Sequence, residues 1–356
     1  MSKAPISEKE LLNLFSRTAA QRLPSSWRFT LRPGEGNRRR KVDALAEVQS
    51  SNGTRGLVLI EIKRRLYPKD VQATISELRR QAEASGAASA VVLAPFIGPR
   101  TKDLLAEAEI GYADATGNFR LQLTTPATLI NLDGARSNPW PDDKLLRSLK
   151  GPSAGRVVRA FCDFTPPFGV EEISRRSRTS IASVSRVATL LDREALVTRD
   201  ARGRILGVDW PKLIARWTLD YSLLKSNRTR MYVEPRALSE FLAKLAALDA
   251  QYAVTGSLPA SLVAPFAASR LAVVYADDPE KLADQLRVSQ VDEAGNVLLV
   301  EPFDPVVFDR TWQRDGVTYA ALTQVAADLL TSPGRGPSEG QALLGWMAEN
   351  QGAWRA

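Results

Sequence analysis

The chain contains no histidine and a single cysteine, Cys162, in 356 residues. These absences exclude much chemistry. A Ser-His-Asp triad, a Cys-His dyad, a histidine general base and a Cys/His zinc site cannot be built from this chain. A disulfide framework within the chain is excluded as well, so nothing points to an oxidising compartment. No run approaches the ~20 apolar residues that a membrane-spanning helix needs. The N-terminal MSKAPISEKELLNLF lacks the apolar core of a secretory signal. A cytoplasmic location is expected, with no membrane partner.

The remainder is ordinary globular material, 44% hydrophobic and 25% charged, and the length suggests two or three domains. Net charge is +8, unevenly spread. Residues 1–150 hold 24 lysines and arginines against 16 acids, and residues 151–230 hold 15 against 8. Residues 231–356 reverse the balance, 9 against 16. A basic front suggests a polyanionic partner, with double-stranded DNA the first expectation. The acidic end suggests a different contact, such as a protein partner.

Ser7 with Glu10 three residues later marks a capping box opening an amphipathic helix to about Leu23. A Gly/Arg-rich stretch, Arg32–Arg40, breaks the pattern. Lys41–Gln49 and Gly56–Leu66 read as strands joined by a polar turn. Asp70–Ala84 reads as a helix, Ala90–Phe96 as a buried strand and Gly98–Ala108 as a helix. Gly111–Leu123 reads as a strand pair turning at Gly117–Asn118. Residues 136–152 form a Pro/Asp/Ser-rich linker. Three short helices and a β-ribbon follow, then a connector over 219–235 and a further mixed α/β segment. The chain is expected to be α/β and multidomain.

The strand GLVLIEIK, residues 56–63, ends in two charges at alternate positions. Period two places Glu61 and Lys63 on one face and Ile60 and Ile62 on the other. A hairpin would bring Asp43 beside Glu61. Two carboxylates and a lysine converging at a sheet edge suit Mg²⁺, which activates water and stabilises an in-line phosphoryl transition state. Glu10 is explained by the cap. Residues 1–135 thereby resemble the PD-(D/E)XK nuclease fold, whose core is helix, hairpin, helix, strand. The resemblance implies Asp43 and Glu61 as metal ligands and Lys63 as the water-positioning lysine. No proline introduces the Asp43 strand. The Gln-x-x-x-Tyr helix of the RecB-like branch is also missing, since neither Gln72 nor Gln81 has a tyrosine four positions on.

Residues 153–218 resemble a winged helix-turn-helix. The helix Ser180–Ala195 places Ile181, Val184, Val187, Ala188 and Leu191 at core spacing. Ser180, Ser183, Ser185, Arg186 and Thr189 then fall on the outer side, as a major-groove reader requires. The hairpin LVTRDARGRILGV, 196–208, carries Arg199, Arg202 and Arg204 for phosphates or the minor groove. DNA binding of this kind requires no cofactor.

Within the acidic α/β segment 236–356, Ala253–Ala260, AVTGSLPA, has a Gly-Ser turn after a short strand and resembles the start of a nucleotidyltransferase fold. The following strand, LAVVY, lacks that fold's aspartate pair, because Asp277 and Asp278 come only after it. Catalysis by that route is therefore not expected. From Ser153 onward, TGSLPA, GNVLLVEPFDPVVF and QVAADLLTSPGRGPSE resemble bacterial AbiEi-type antitoxins, which repress their own promoters. The nuclease-like front is a departure from that family. The leading expectation is a DNA-binding transcriptional regulator with a non-cleaving nuclease-like domain. One alternative is a Mg²⁺-dependent nuclease targeted by its winged helix. Another is an antitoxin or assembly protein acting through protein partners. Winged-helix regulators often form homodimers, but no apolar stripe here shows how.

Overall fold

A computed structural model describes residues 6–33, 43–140 and 146–356. Two compact units emerge, Met1–Lys144 with Arg193–Ala195, and Leu145–Asp192 with Leu196–Ala356. Lys41 and Val42, expected in a strand, and most of the Gly/Arg-rich stretch lie outside the described residues.

The first unit opens with α1 (Glu8–Arg22), capped reciprocally by the Ser7 hydroxyl and the Glu10 carboxylate. Strands β1 (Arg28–Pro33), β2 (Ala44–Gln49) and β3 (Arg55–Ile62) follow as an antiparallel meander. Helix α2 (Pro68–Ser85) then crosses to β4 (Ser89–Ala94), and α3 (Pro99–Glu107) crosses to β5 (Gly111–Asp114). Both crossovers join parallel neighbours, as such connections require. β6 (Phe119–Leu123) and β7 (Thr128–Leu132) complete a seven-stranded sheet in sequential order. The sheet is covered on both faces. α1 packs Leu11 and Phe15 against Val58, Ile60, Val91 and Leu93. On the opposite face α2 and α3 bury Val71, Ile75, Leu78 and Leu105 against Leu59 and Val92. A central strand buried on both sides needs a continuous apolar run, which β3 has in Leu57–Ile60.

β1 and β7 are the two sheet edges and had not been expected as strands. β7 contains no buried residue, and Leu129 is 58% exposed.

The second unit begins with α4 (Pro152–Asp163), α5 (Val170–Ser177) and α6 (Ile181–Arg193). A two-stranded hairpin, β8 (Val197–Arg199) with β9 (Ile205–Val208), leads into α7 (Trp210–Trp217) and α8 (Leu223–Ser226). The expected three helices and ribbon are present, with α7 as a fourth helix before Thr218. A second sheet follows. Its strands are β10 (Arg228–Val233), β11 (Tyr252–Thr255), β12 (Ala272–Ala276), β13 (Ser289–Gln290), β14 (Val297–Glu301), β15 (Trp312–Arg314) and β16 (Val317–Tyr319), in the order β13-β10-β14-β12-β11-β16-β15. β10 lies in the segment expected as a connector. Helices α9 (Leu238–Ala246), α10 (Ser257–Val263), α11 (Pro279–Leu286), α12 (Leu322–Leu330) and α13 (Gly336–Glu349) cover this sheet.

Two buried clusters flank the second sheet, and one of them runs on into the helices that precede it. Val157 and Phe161 of α4, Leu191 of α6 and Trp217 of α7 belong to the same buried cluster as Val300, Ala326 and Leu343. Among the described residues, no helix is long and apolar enough to cross a membrane.

Candidate functional site

The β2–β3 ladder pairs Ala44 with Ile60, so the next position outward sets Asp43 opposite Glu61. Leu45 and Leu59 face α2 and α3. Period two therefore carries Asp43 and Glu61 to that same face, while Ile60 and Ile62 turn to the α1 side. Asp43 is exposed, and its Oδ2 accepts the Ile62 N–H at 2.7 Å. Lys63 donates from Nζ to Glu61 Oε1 at 2.7 Å, with side-chain exposures of 36% and 15%. The three residues singled out from sequence thus meet at one end of two neighbouring strands. Glu10 is occupied with Ser7, as its cap pattern required.

The donor set suits a hard cation. Magnesium is usually held by one or two carboxylates, with water and substrate phosphate completing its shell. Asp43 and Glu61 supply two anionic carboxylates at one end of the sheet. Among the described residues, no group of three acidic, histidine or cysteine side chains could hold a metal alone. A cation here would therefore depend on water and substrate for its remaining ligands.

In the second unit α6 buries Val184, Val187, Ala188, Leu190 and Leu191. Ile181 had been expected in that core, but it is 53% exposed. It is the first residue of α6 and overhangs the end of the buried stripe. Ser180 caps the helix, its Oγ accepting the Ser183 N–H at 3.2 Å. Ser185 and Arg186 are exposed, and Arg186 Nη2 lies 3.3 Å from Ser183 Oγ. Thr189 turns its hydroxyl onto the Ser185 carbonyl at 2.8 Å.

The three hairpin arginines are not equivalent. Arg199 donates from Nε and Nη2 to the Gly203 carbonyl, at 3.3 and 3.2 Å, and closes the loop. Arg204 pairs with Asp200 at 2.8 Å, and this contact holds the Asp200 carboxyl below its usual range. Only Arg202, exposed at the tip beside Gly203 (φ 82°), has a side chain without such a commitment.

The Gly-Ser turn is formed by Gly256 (φ 75°) before α10, where Ser257 Oγ bonds Glu339. Asp278 caps α11, accepting the Lys281 N–H at 3.0 Å. The most deeply buried acid of this half is Asp328. It accepts from Tyr221 (2.6 Å), Thr255 (2.6 Å), Tyr275 (2.9 Å) and Gln324 (2.9 Å). Burial raises its pKa, and those four donors oppose the rise. All four protein donors are consumed in holding it, which makes it a structural knot. Cys162 is buried, and burial pushes its thiol pKa up, so the lone cysteine is no nucleophile.

Sequence reasoning missed Arg159, buried at 2% exposure in α4. It pairs with Asp163 at 3.1 Å and also bonds Gln324 and the carbonyls of Val306 and Asp309. Its position between Val158 and Ala160 in an apolar helix was the available signal.

No family model matches the chain, and no curated protein does. Among solved structures it is similar to EndoMS in its apo form, with 20% identity, covering 32% of this chain and 47% of that one, at a TM-score of 0.21. It is also similar to a repair endonuclease from Pyrococcus abyssi, with 16% identity, covering 32% of this chain and 49% of that one, at the same TM-score of 0.21. The chain spans about half the length of these solved relatives.

Proposed function

We propose that this protein acts on duplex DNA as a magnesium-dependent phosphodiesterase of the PD-(D/E)XK type, directed to its substrate by a winged helix. One observation carries the reading: Asp43, Glu61 and Lys63 share one face at the end of the β2–β3 ladder. Asp43 and Glu61 would hold the magnesium ion. When bound, the ion neutralises phosphate charge and makes water a better nucleophile. The Asp43 carboxylate, anchored on the Ile62 N–H, keeps its other oxygen available. Lys63 supplies a mobile ammonium that can leave Glu61 to orient a water or meet the developing phosphate charge. The winged helix, residues 153–218, would present Ser183, Ser185 and Arg186 to a major groove and Arg202 to phosphates.

A second reading is a DNA-binding regulator of AbiEi type in which the front domain binds without cutting. The closed Lys63–Glu61 pair favours it, because a carboxylate already balanced by a lysine needs no metal ion. Incubation with supercoiled plasmid separates the two readings. Under the first, nicking requires Mg²⁺ or Mn²⁺ and disappears in both Asp43→Ala and Lys63→Ala. Under the second, the wild type binds duplex and leaves it uncut.

A further inference from the structure

Within the second unit, α4, the end of α5 with the α5–α6 turn, and residues 306–310 line a half-open pocket of about 400 Å³. Six arginines line it, namely Arg156, Arg159, Arg175, Arg176, Arg178 and Arg310, against two acids, Asp163 and Asp309. Several of these charges have partners. Arg156 grips Asp304 at 2.8 Å, Arg176 pairs with Glu172 at 2.6 Å, and Arg178 reaches Asp309 at 2.5 Å. Adding Asp304 and Glu172 to the two lining acids still leaves six guanidinium groups against four carboxylates. Arg175 is exposed and makes no ion pair with the described residues.

Two of the cations also converge on a single ring. The guanidinium carbons of Arg176 and Arg310 lie 4.2 and 4.8 Å from the Phe164 centroid. The ring's π cloud attracts both guanidinium groups; Arg176 is balanced by Glu172, whereas Arg310 makes no ion pair with the described residues and keeps its charge for an added anion. Guanidinium groups present a planar fork of donors that matches phosphate oxygens in pairs. A volume of this order falls in the range of small-molecule sites and exceeds what a bare phosphate fills.

We propose that this pocket is a binding site for a small phosphate-bearing ligand. Its position gives the ligand leverage. Arg178 sits in the turn before α6 with φ 51°, held by Asp309, so an anion competing for Arg178 acts on the segment that orients α6. The site shares no residue with Asp43, Glu61 and Lys63, and its occupancy is read without any cleavage assay. The same chemistry could be supplied by a backbone phosphate of bound DNA.

The test is titration calorimetry of the full chain with inorganic pyrophosphate at physiological salt, beside the salt dependence of duplex binding. The expected result is saturable one-site binding that weakens about tenfold or more in Arg175→Ala and Arg310→Ala. Arg175 is exposed, so its variant should keep the wild-type melting temperature, which guards against misfolding as the cause. An unchanged salt slope for duplex binding in Arg175→Ala then assigns the site to a free ligand. A slope reduced by about one, with pyrophosphate displaced by duplex, assigns the phosphate to DNA. The proposal is overturned if pyrophosphate shows no saturable binding and the slope is unchanged, or if binding survives both substitutions.

Discussion

The Asp43 carboxylate accepts the backbone N–H of Ile62 at 2.7 Å, so the acid just before β2 is fastened to the residue between Glu61 and Lys63. This bond places the side chain without spending both of its oxygens. It also separates two roles that a single substitution to alanine would merge.

Asp43→Asn keeps an oxygen acceptor for Ile62 and removes the charge. The variant is expected to melt like the wild type while losing Mg²⁺ binding by calorimetry and any metal-dependent nicking. Asp43→Ala should cost about 1 kcal/mol more in urea unfolding, because the Ile62 N–H loses its partner. Full nicking by Asp43→Asn would rule this acid out as a metal ligand.

The hairpin arginines should separate in the same way. Arg202→Ala should weaken binding to all duplexes alike and lower the salt slope by about one. Arg199→Ala should act first on the hairpin itself, seen as faster proteolysis at the loop, because it removes the clamp on Gly203. Arg186→Ala should cost about 1–3 kcal/mol on a preferred site and relax preference there. Equal, sequence-independent losses from Arg186 and Arg202 would place base reading elsewhere.

What could be read from sequence, and what could not, follows from the kind of signal each feature leaves. Glu61 and Lys63 were legible because an apolar strand has a strict period of two, and the hairpin then fixed Asp43. Strand β7 was not, because its outward position carries the apolar Leu129 between the core-facing Thr128, Ile130 and Leu132, which hides the alternation of burial in the sequence. Ile181 shows the limit of helical spacing, which sets the phase of a residue around the axis but not whether the core reaches its end of the helix. Arg199, Arg204 and Arg159 show the limit of counting charges. Each entered the basic total of its segment, yet their guanidinium groups serve a loop carbonyl, a neighbouring aspartate and a buried network.

Arg159→Met should destabilise the second unit by about 3–5 kcal/mol, because Asp163 and Gln324 are left buried with a lost partner. Chemical denaturation followed by tryptophan fluorescence reads this through Trp217 and Trp210, which lie in the same core. A loss below about 1 kcal/mol would mean that water replaces the guanidinium.

Asp328 sets a pH dependence of definite sign. Its folded pKa lies above the ordinary 3.8, so at pH values between the two the folded state holds a proton that the unfolded chain has released. Stability from this group is therefore greatest at low pH. It falls as pH rises from about 4 through the raised value, and is constant beyond. Other carboxylates act in the opposite direction, so the difference between wild type and Asp328→Asn isolates it. That difference in urea midpoint should shift against the wild type as pH rises, and a flat difference would show that the four donors cancel the burial.

The core shared by α4, α6 and α7 with the second sheet has a consequence for how the chain can be divided. Charge draws a border near residue 230, basic before and acidic after. Folding draws none there, since Trp217 and Leu191 are sealed by Val300, Ala326 and Leu343. The acidic half is therefore the other wall of the same interior. Cutting at the charge border would strip an apolar surface bare and strand Arg159 without Gln324. The helices that face outward and the sheet behind them stand or melt together, and a strain applied to either is felt by both.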